Sequence, residues 1–541
     1  MPPPRLPITF PPRGIALTAL CALYLLAGLV GHDPWKNEDA THFGVAFSMI
    51  EGGGWLVPRL AGEAWLESPP LYYWVAALLG KAFAAFLPVH DGARLASGLF
   101  VGLMLACLAG TARLLAGREA ARGAALVGIG VLGLLVHAHE SQPATALLAA
   151  TAALYLGLAL STRHAAGGGA LAGIALAGGF LAAGLQALLA LAPLLLLLPF
   201  LGPQPRAGRA GRALLAALLV AAPLILAWPM ALQRHDPTLF ARWWSLELAG
   251  LQPQDGWLQA LWAWLKLLGW FAWPALPLAL WTLWKERRRL AAAHILLPLA
   301  SFLALLLAQT AFYGPRSLNA LPLLPPLILL AAPATLSLRR GAANAFDWFG
   351  MMTFSLLAGL IWLGWLAMVA GTPAQIAKNF SRLEPGFVAR FSMPAFAAAL
   401  ALTLAWLWLI FASPRAPQRG AAHWAAGVTL CWSLLVALWT PWIDHGRSYR
   451  PVFAGLKAAL PAVQTCISGQ GLSSPQRASL HYFAGIVLQP EGSRASAACR
   501  LYLVQGTARN PRLPPGKGWR KIWEDHRPSD RNERFQLYFR P

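Results

Sequence analysis

The chain has 541 residues, of which 57% are hydrophobic and only 12% charged, with 25 tryptophans. A water-soluble domain needs more charge than this to wet its surface, so the composition excludes a soluble enzyme and points to a polytopic α-helical membrane protein. The formal net charge of +22 does not point to nucleic acid, because the Lys and Arg residues sit mainly in short loops between apolar runs, where they set topology.

The N-terminus, MPPPRLPITFPPRG, is basic and Pro-rich, and Ile15 to Val30 is apolar. The charge layout is that of a signal peptide, but no small-x-small cleavage site precedes the following loop, so the segment reads as a retained first span starting in the cytoplasm. Next comes a polar interruption, His32 to Pro70, holding Asp33, Glu38, Asp39, Glu51, Glu63 and Glu67 against only Lys36 and Arg59. An acidic cluster directly after a hydrophobic span, with aromatics and Pro69-Pro70 around it, suggests a built site rather than a linker.

Two interfacial helices are expected in this loop, which extends over about residues 32–92. In the first, Phe43, Ala46, Phe47 and Ile50 recur at i, i+3, i+4 and i+7 behind the opening Asn37-Glu38-Asp39. The second, Leu71 to Phe86, follows Pro70 and carries Tyr72, Tyr73 and Trp74 where an aromatic belt would lie. Both are expected to lie along the outer leaflet and to roof a cavity floored by the bundle.

At roughly 20 residues per crossing, residues 1–440 contain about thirteen spans. Basic loops with Arg118 and Arg122, Arg163, Arg206 to Arg212, Lys285 to Arg289, Arg339-Arg340, and Arg415 with Arg419 all fall on one side. The positive-inside rule makes that side cytoplasmic and puts the acidic loop, and everything after Thr440, outside. Residues 441–541 have ordinary polar composition and read as a separate small periplasmic α/β domain. Its helices are expected at Tyr449 to Leu460 and Pro475 to Ile486, its strands at Leu501 to Gln505, Arg520 to Trp523 and Arg534 to Phe539. Cys466 and Cys499 in this tail can pair if it faces an oxidising compartment.

The first loop also carries a resemblance. Glu38-Asp39, Gly53-Gly54-Trp55, Pro58-Arg59, Gly62, Glu67, Pro69-Pro70 and Tyr73-Trp74 resemble the first outer loop of bacterial GT-C-type glycosyltransferases, the group of lipid A aminoarabinose transferases and protein O-mannosyltransferases. Gly314 to Leu330 resembles the late Leu-Pro-rich span of the same enzymes. The order Glu38-Asp39 inverts the family's Asp-Glu pair, and Ser68 stands where the family has Lys. Where the family usually has another acid, this chain reads His137-Ala-His139-Glu140-Ser-Gln142.

The resemblance implies transfer of a sugar from a polyprenyl-phosphate donor to lipid A, another glycolipid or a protein at the periplasmic face of the bacterial inner membrane. In such a site Asp39 or Glu38 would serve as the catalytic carboxylate. The leaving phosphate calls for cations, with Arg59 the first candidate and Arg94, Arg242, Arg316 and Lys378 behind it. Glu67, Tyr73, Trp55 and Glu140 are candidate substrate contacts. The resemblance fixes no cofactor; a divalent metal ion is an option, with Glu67, His137 and His139 as candidate ligands.

Each assignment has a structural alternative. Glu38 and Asp39 also fit as helix caps, Glu67 as a hydrogen-bond partner of nearby backbone, and the His137 to Glu140 turn as a solvated span end. A transporter or flippase of lipid-linked sugars, or a non-catalytic binder of them, is the competing function class.

Overall fold

The computed structural model describes residues 13–201, 207–253, 256–414, 416–461, 466–490, 494–507, 509, 514, 516 and 518–541. The stretch before residue 13, Arg206 and Arg415 lie outside the described residues. The chain opens with α1 (Arg13–Leu26) and then enters the acidic loop, which builds α2 (Glu38–Ile50), a short hairpin of β1 (Arg59–Leu60) and β2 (Glu63–Ala64), and α3 (Leu71–Ala82).

The bundle follows with α4 (Val89–Ala116), α5 (Arg118–Gly130), α6 (Ala144–Ser161), α7 (Ala165–Leu191), α8 (Ala207–His235) and the short α9 (Pro237–Ala249). It continues through α10 (Trp257–Phe271), α11 (Ala275–Lys285) and α12 (Ala293–Phe312). The short α13 (Ser317–Ala320), α14 (Leu324–Ala331) and α15 (Ala334–Ser337) form one irregular span, and α16 (Arg340–Ala370), α17 (Ala374–Leu383), α18 (Met393–Ala412) and α19 (Arg419–Arg447) complete the set. The Ser317–Ser337 span is 83% buried, which makes it the centre of the bundle. Its residues from Leu321 to Ala332 are all buried, so its broken helix is supported by neighbours and not by lipid.

Among the described residues, nine helical stretches are long and apolar enough to cross a bilayer, and α10 with α11, bent by 105°, makes a tenth. The larger count expected from sequence also takes in α1, α5 and the two halves of the broken α7. Helices of 13 or 14 residues such as α5 and α1 rise only about 20 Å, short of a ~30 Å hydrocarbon core.

Past Arg447 comes a compact α/β unit of α20 (Arg450–Ala459), β3 (Ile467–Gln470), α21 (Ser474–Ala484), α22 (Arg494–Ala497), β4 (Leu501–Thr507), β5 (Arg520–Arg527) and β6 (Asp530–Phe539). The sheet order is β3-β4-β6-β5, with β3 parallel to β4 and the other pairs antiparallel. Alternation puts Leu501, Leu503, Phe535 and Leu537 on one face, where they pack on Phe453, Leu456 and Leu480 of α20 and α21. A disulfide joins Cys466 to Cys499 and ties the entry of β3 to that of β4.

This unit sits on the acidic loop. Asp33 accepts hydrogen bonds from Ser448 Oγ at 2.7 Å and Arg450 Nε at 2.8 Å, while Asp444, near the end of α19 in the bundle, accepts from the Trp35 indole at 3.0 Å. The apolar stripe of α2, expected to lie on the leaflet, is instead covered by protein. Tyr482 of α21 packs edge-on against Phe43 and Phe47, with ring centroids 4.8 and 4.9 Å away. Gly44 permits the close approach, since a Cβ there would lie 2.4 Å from that of Ala478.

Candidate active site

Between the bundle and the C-terminal unit lies a cavity of about 960 Å³. Its walls come from α2, the loop before α3, the start of α6, the break in α7, α9, the end of α12, α13 and Ser473 to Pro475 at the start of α21. Size and mixed polar and apolar walls suit a head group with part of a lipid chain.

Successive helix residues point about 100° apart, so Glu38 and Asp39 cannot share this space. Glu38 lines the cavity and keeps 47% of its side chain exposed. Asp39 faces the other way, with none of its side chain exposed. It receives Arg94 Nη2 at 3.2 Å, the Ser141 backbone N–H at 2.7 Å and that of Trp35 at 2.9 Å. Burial opposes ionisation of Asp39, but Arg94, His32 and these two N–H groups outweigh it and hold the carboxyl down at about 2.

Arg94 is therefore not a phosphate ligand, contrary to the expectation from sequence. It is fully buried and spends its guanidinium on Asp39, on Asp91 at 2.9 Å and on the carbonyls of Leu29, His32 and Asp33. A desolvated guanidinium with every donor occupied has nothing left for a ligand.

Glu38 has its own support. Its Oε2 lies 3.0 Å from His42 Nε2, His42 Nδ1 lies 2.8 Å from the Tyr73 hydroxyl, and the Trp65 indole N–H donates to that hydroxyl at 3.0 Å. The hydrogen bond from His42 keeps the Glu38 carboxyl below its ordinary range against the opposing effect of partial burial.

The other candidates divide. Glu67 lines the cavity beside Ser68. Tyr73 is buried behind His42 instead of in the lining. Trp55 is outside the lining, its carbonyl accepting from the Trp74 indole at 2.7 Å and its ring under Lys81. Glu140 lies 3.7 Å from His137 on the loop between α5 and α6, also outside the lining.

Arg59 is exposed, donates to the Gly62 carbonyl at 2.9 Å and does not reach the cavity wall. Arg242 and Arg316 are exposed on segments whose neighbours Leu246, Glu247, Tyr313 and Leu318 do line it. Lys378 is exposed on α17, a helix set against α16 and α19 and absent from the lining.

Both ring nitrogens of His139 are engaged by the carbonyls of Leu135 and Tyr24 at 2.6 Å each, which removes it as a metal ligand. Among the described residues, no group of three or more His, Cys, Asp or Glu side chains is placed to hold a metal ion.

The structure adds groups that sequence reasoning had not picked. The helix of α7 breaks at Ala183 and Gly184, where Gly184 takes φ 68° and ψ −152°. The freed N–H of Leu185 donates to Glu247 Oε2 at 2.8 Å, and burial pushes the Glu247 carboxyl up. Gln142 and Gln309 also line the cavity, both buried, with Gln142 Nε2 and Gln309 Oε1 lacking a protein partner among the described residues. Gln142 Oε1 accepts from the Ala144 N–H at 3.3 Å, so the two unpartnered atoms are the ones open to water or to a ligand in the cavity. An isolated Gln within the apolar run of α12 is the signal sequence offered.

The lining as a whole is acidic. Glu38, Glu67 and Glu247 face the cavity, and no Lys or Arg is among the described residues that line it.

Comparison with known proteins fits this architecture. No family model matches the chain. Two curated relatives, both undecaprenyl phosphate-alpha-4-amino-4-deoxy-L-arabinose arabinosyl transferases, match over part of it. The protein of Pseudomonas savastanoi pv. phaseolicola is 32% identical over 87 residues, 16% of each chain. That of Edwardsiella ictaluri is 32% identical over 184 residues, 32% of each chain, so the match spans a third or less of these relatives' length. Among solved structures, ArnT from Cupriavidus metallidurans bound to undecaprenyl phosphate superposes over 97% of both chains with a TM-score of 0.70 at 16% identity. Its apo form gives 0.69 at 17% over the same share. From first helix to C-terminal sheet, then, this is a multi-pass membrane chain with the GT-C-type fold of ArnT.

Proposed function

We propose that this protein transfers a sugar from a polyprenyl-phosphate donor to an acceptor at the periplasmic face of the inner membrane. The observation that carries the reading is the cavity beneath the C-terminal unit, walled by the half-exposed carboxylate of Glu38 and by two buried amides, of which Gln142 Nε2 and Gln309 Oε1 have no protein partner among the described residues. Similarity to ArnT over 97% of both chains, and the names of the partial relatives, support the donor class. The disulfide supports an oxidising compartment for the C-terminal unit.

The chemistry is a single displacement at the anomeric carbon. The bond to the donor phosphate oxygen breaks as a bond to an acceptor oxygen forms, and the phosphate leaves with the electron pair. Glu38 takes the proton of a hydroxyl acceptor, or steadies the oxocarbenium-like sugar when the acceptor is a phosphate. Asp39 and Arg94 are structural in this reading: they fix the start of α2 and leave Glu38 as the working acid. Arg242 and Arg316, exposed beside the wall, hold the departing phosphate at the cavity rim. Three facing carboxylates, with no Lys or Arg among the described residues of the lining, favour a sugar bearing an ammonium group, as in the aminoarabinose of the relatives' names. The acceptor is a membrane glycolipid, with lipid A the first to try.

The test is sugar transfer in proteoliposomes given undecaprenyl-phosphate aminoarabinose and lipid A. Transfer by the native chain, lost by a factor of about 10² or more in Glu38→Gln, is the expected result. Movement of intact donor between leaflets without transfer would establish a flippase instead, and binding without turnover a non-catalytic receptor.

A further inference from the structure

The hydrogen bonds behind Glu38 have a direction. An indole N–H can only donate, so the Tyr73 oxygen accepts from Trp65 at 3.0 Å. At the other end, an ionised Glu38 can only accept, so His42 Nε2, 3.0 Å away, carries a proton. In a neutral imidazole that leaves Nδ1 as the acceptor, and the Tyr73 hydroxyl 2.8 Å from it supplies the hydrogen. With His42 neutral the two ends give one order of donation, Trp65 to Tyr73 to His42 to Glu38, and Ser68 is a further hydrogen-bond neighbour of the Tyr73 hydroxyl. Tyr73 is fully buried, and Trp65 and His42 nearly so, so water does not compete for the interior links.

We infer that His42 is a positioning residue, locked in its Nε2–H tautomer by Tyr73 and Trp65, which aims the Glu38 carboxylate into the cavity and keeps it ionised. Its spacing suits the task, since residues i and i+4 lie on one helical face. The inference rests on Glu38 as the working carboxylate. Other charged groups around it are few: His137 faces it from the loop between α5 and α6 with Glu140 attached. Glu67 shares the cavity, and the Asp39–Arg94 pair lies behind the same helix.

A group whose folded pKa is depressed is ionised until the pH falls through that pKa, so transfer by the native protein should persist to acid pH and fail only below the ordinary glutamate range. Removing the donor raises the pKa of Glu38 and moves that acid limb to higher pH. The experiment uses the full chain in proteoliposomes, comparing His42→Leu, His42→Gln and Tyr73→Phe. One readout is the pH profile of transfer. The other is carbodiimide labelling of Glu38 across pH, read by peptide mass spectrometry; it reports the protonated carboxyl whether or not the protein turns over.

His42→Leu should shift the acid limb and the labelling midpoint upward together. Tyr73→Phe should shift both in the same direction by less, and His42→Gln, whose amide still donates, should restore the native position. If His42→Leu does not fold, the labelling midpoint of Tyr73→Phe decides. An unmoved midpoint in either folded variant overturns the inference. A native chain that shows the labelling shifts on mutation but transfers no sugar would leave the relay standing and remove the functional reading instead.

Discussion

At the scale of single residues, the pair Glu38-Asp39 divides its labour through helical geometry. One carboxylate meets the cavity and the other is sealed against Arg94. Neither role was legible in the sequence, where adjacent acids at a helix start read equally as caps or as catalysts; the difference lies in contacts to Arg94 and Ser141, 55 and 102 residues away. The capping alternative fails in its usual form, because Asp39 takes the N–H of Trp35, ahead of the helix, not one inside its first turn.

A buried charge left without its partner is costly, so Asp39→Ala should destabilise the protein by about 3–5 kcal/mol, read as a lower unfolding midpoint in detergent. Glu38→Ala, at a half-exposed position, should leave that midpoint nearly unchanged. The pH dependence carries a sign as well. Because the Asp39 carboxyl is held at about 2, its contribution to stability is present above the ordinary aspartate range and is lost as pH falls from there toward about 2.

At the scale of elements, hydrophobic periodicity located α2, α3, α20 and α21 and the strands β4, β5 and β6 to within a few residues. It missed β3, whose Ile-Ser-Gly-Gln carries almost no strand signal and which is held by parallel pairing with β4. Periodicity also cannot say what covers an apolar stripe. The face of α2 reads as membrane-lying, and only the packing of Tyr482 shows it to be an interdomain contact. The purpose of the break in α7 was not legible in the sequence. Gly184 occupies backbone space open to glycine alone, and a Cβ there would fall 2.2 Å from Glu247 Oε1. Gly184→Ala should therefore lower stability by about 1–3 kcal/mol from the backbone strain alone and displace Glu247 from the Leu185 N–H. Thermal unfolding of Gly184→Ala beside Glu247→Gln separates the two effects: the second keeps the backbone and loses only the charge.

At the scale of the molecule, composition alone established the membrane class, and motif spacing in the first loop pointed to the GT-C architecture that the superposition on ArnT bears out. A cavity under the first loop was expected from sequence, but its lining was hidden because the walls come from segments spread between residues 37 and 475, and no local pattern encodes that convergence. The same convergence explains why cations chosen by type went astray: Arg94 is consumed inside the fold, and Arg59 and Lys378 sit on surfaces away from the cavity. What remains is a three-part assembly, in which the bundle supplies amides and Glu247, the first loop supplies Glu38 and Glu67, and the C-terminal unit closes the top with Ser473 to Pro475. The most direct measurement is a structure of the full chain with a non-transferable polyprenyl-phosphate sugar bound. The account requires the sugar in the 960 Å³ cavity within hydrogen-bond reach of Glu38, with the phosphate toward Arg242 and Arg316. A head group lodged elsewhere, with Glu38 facing only solvent, would contradict it.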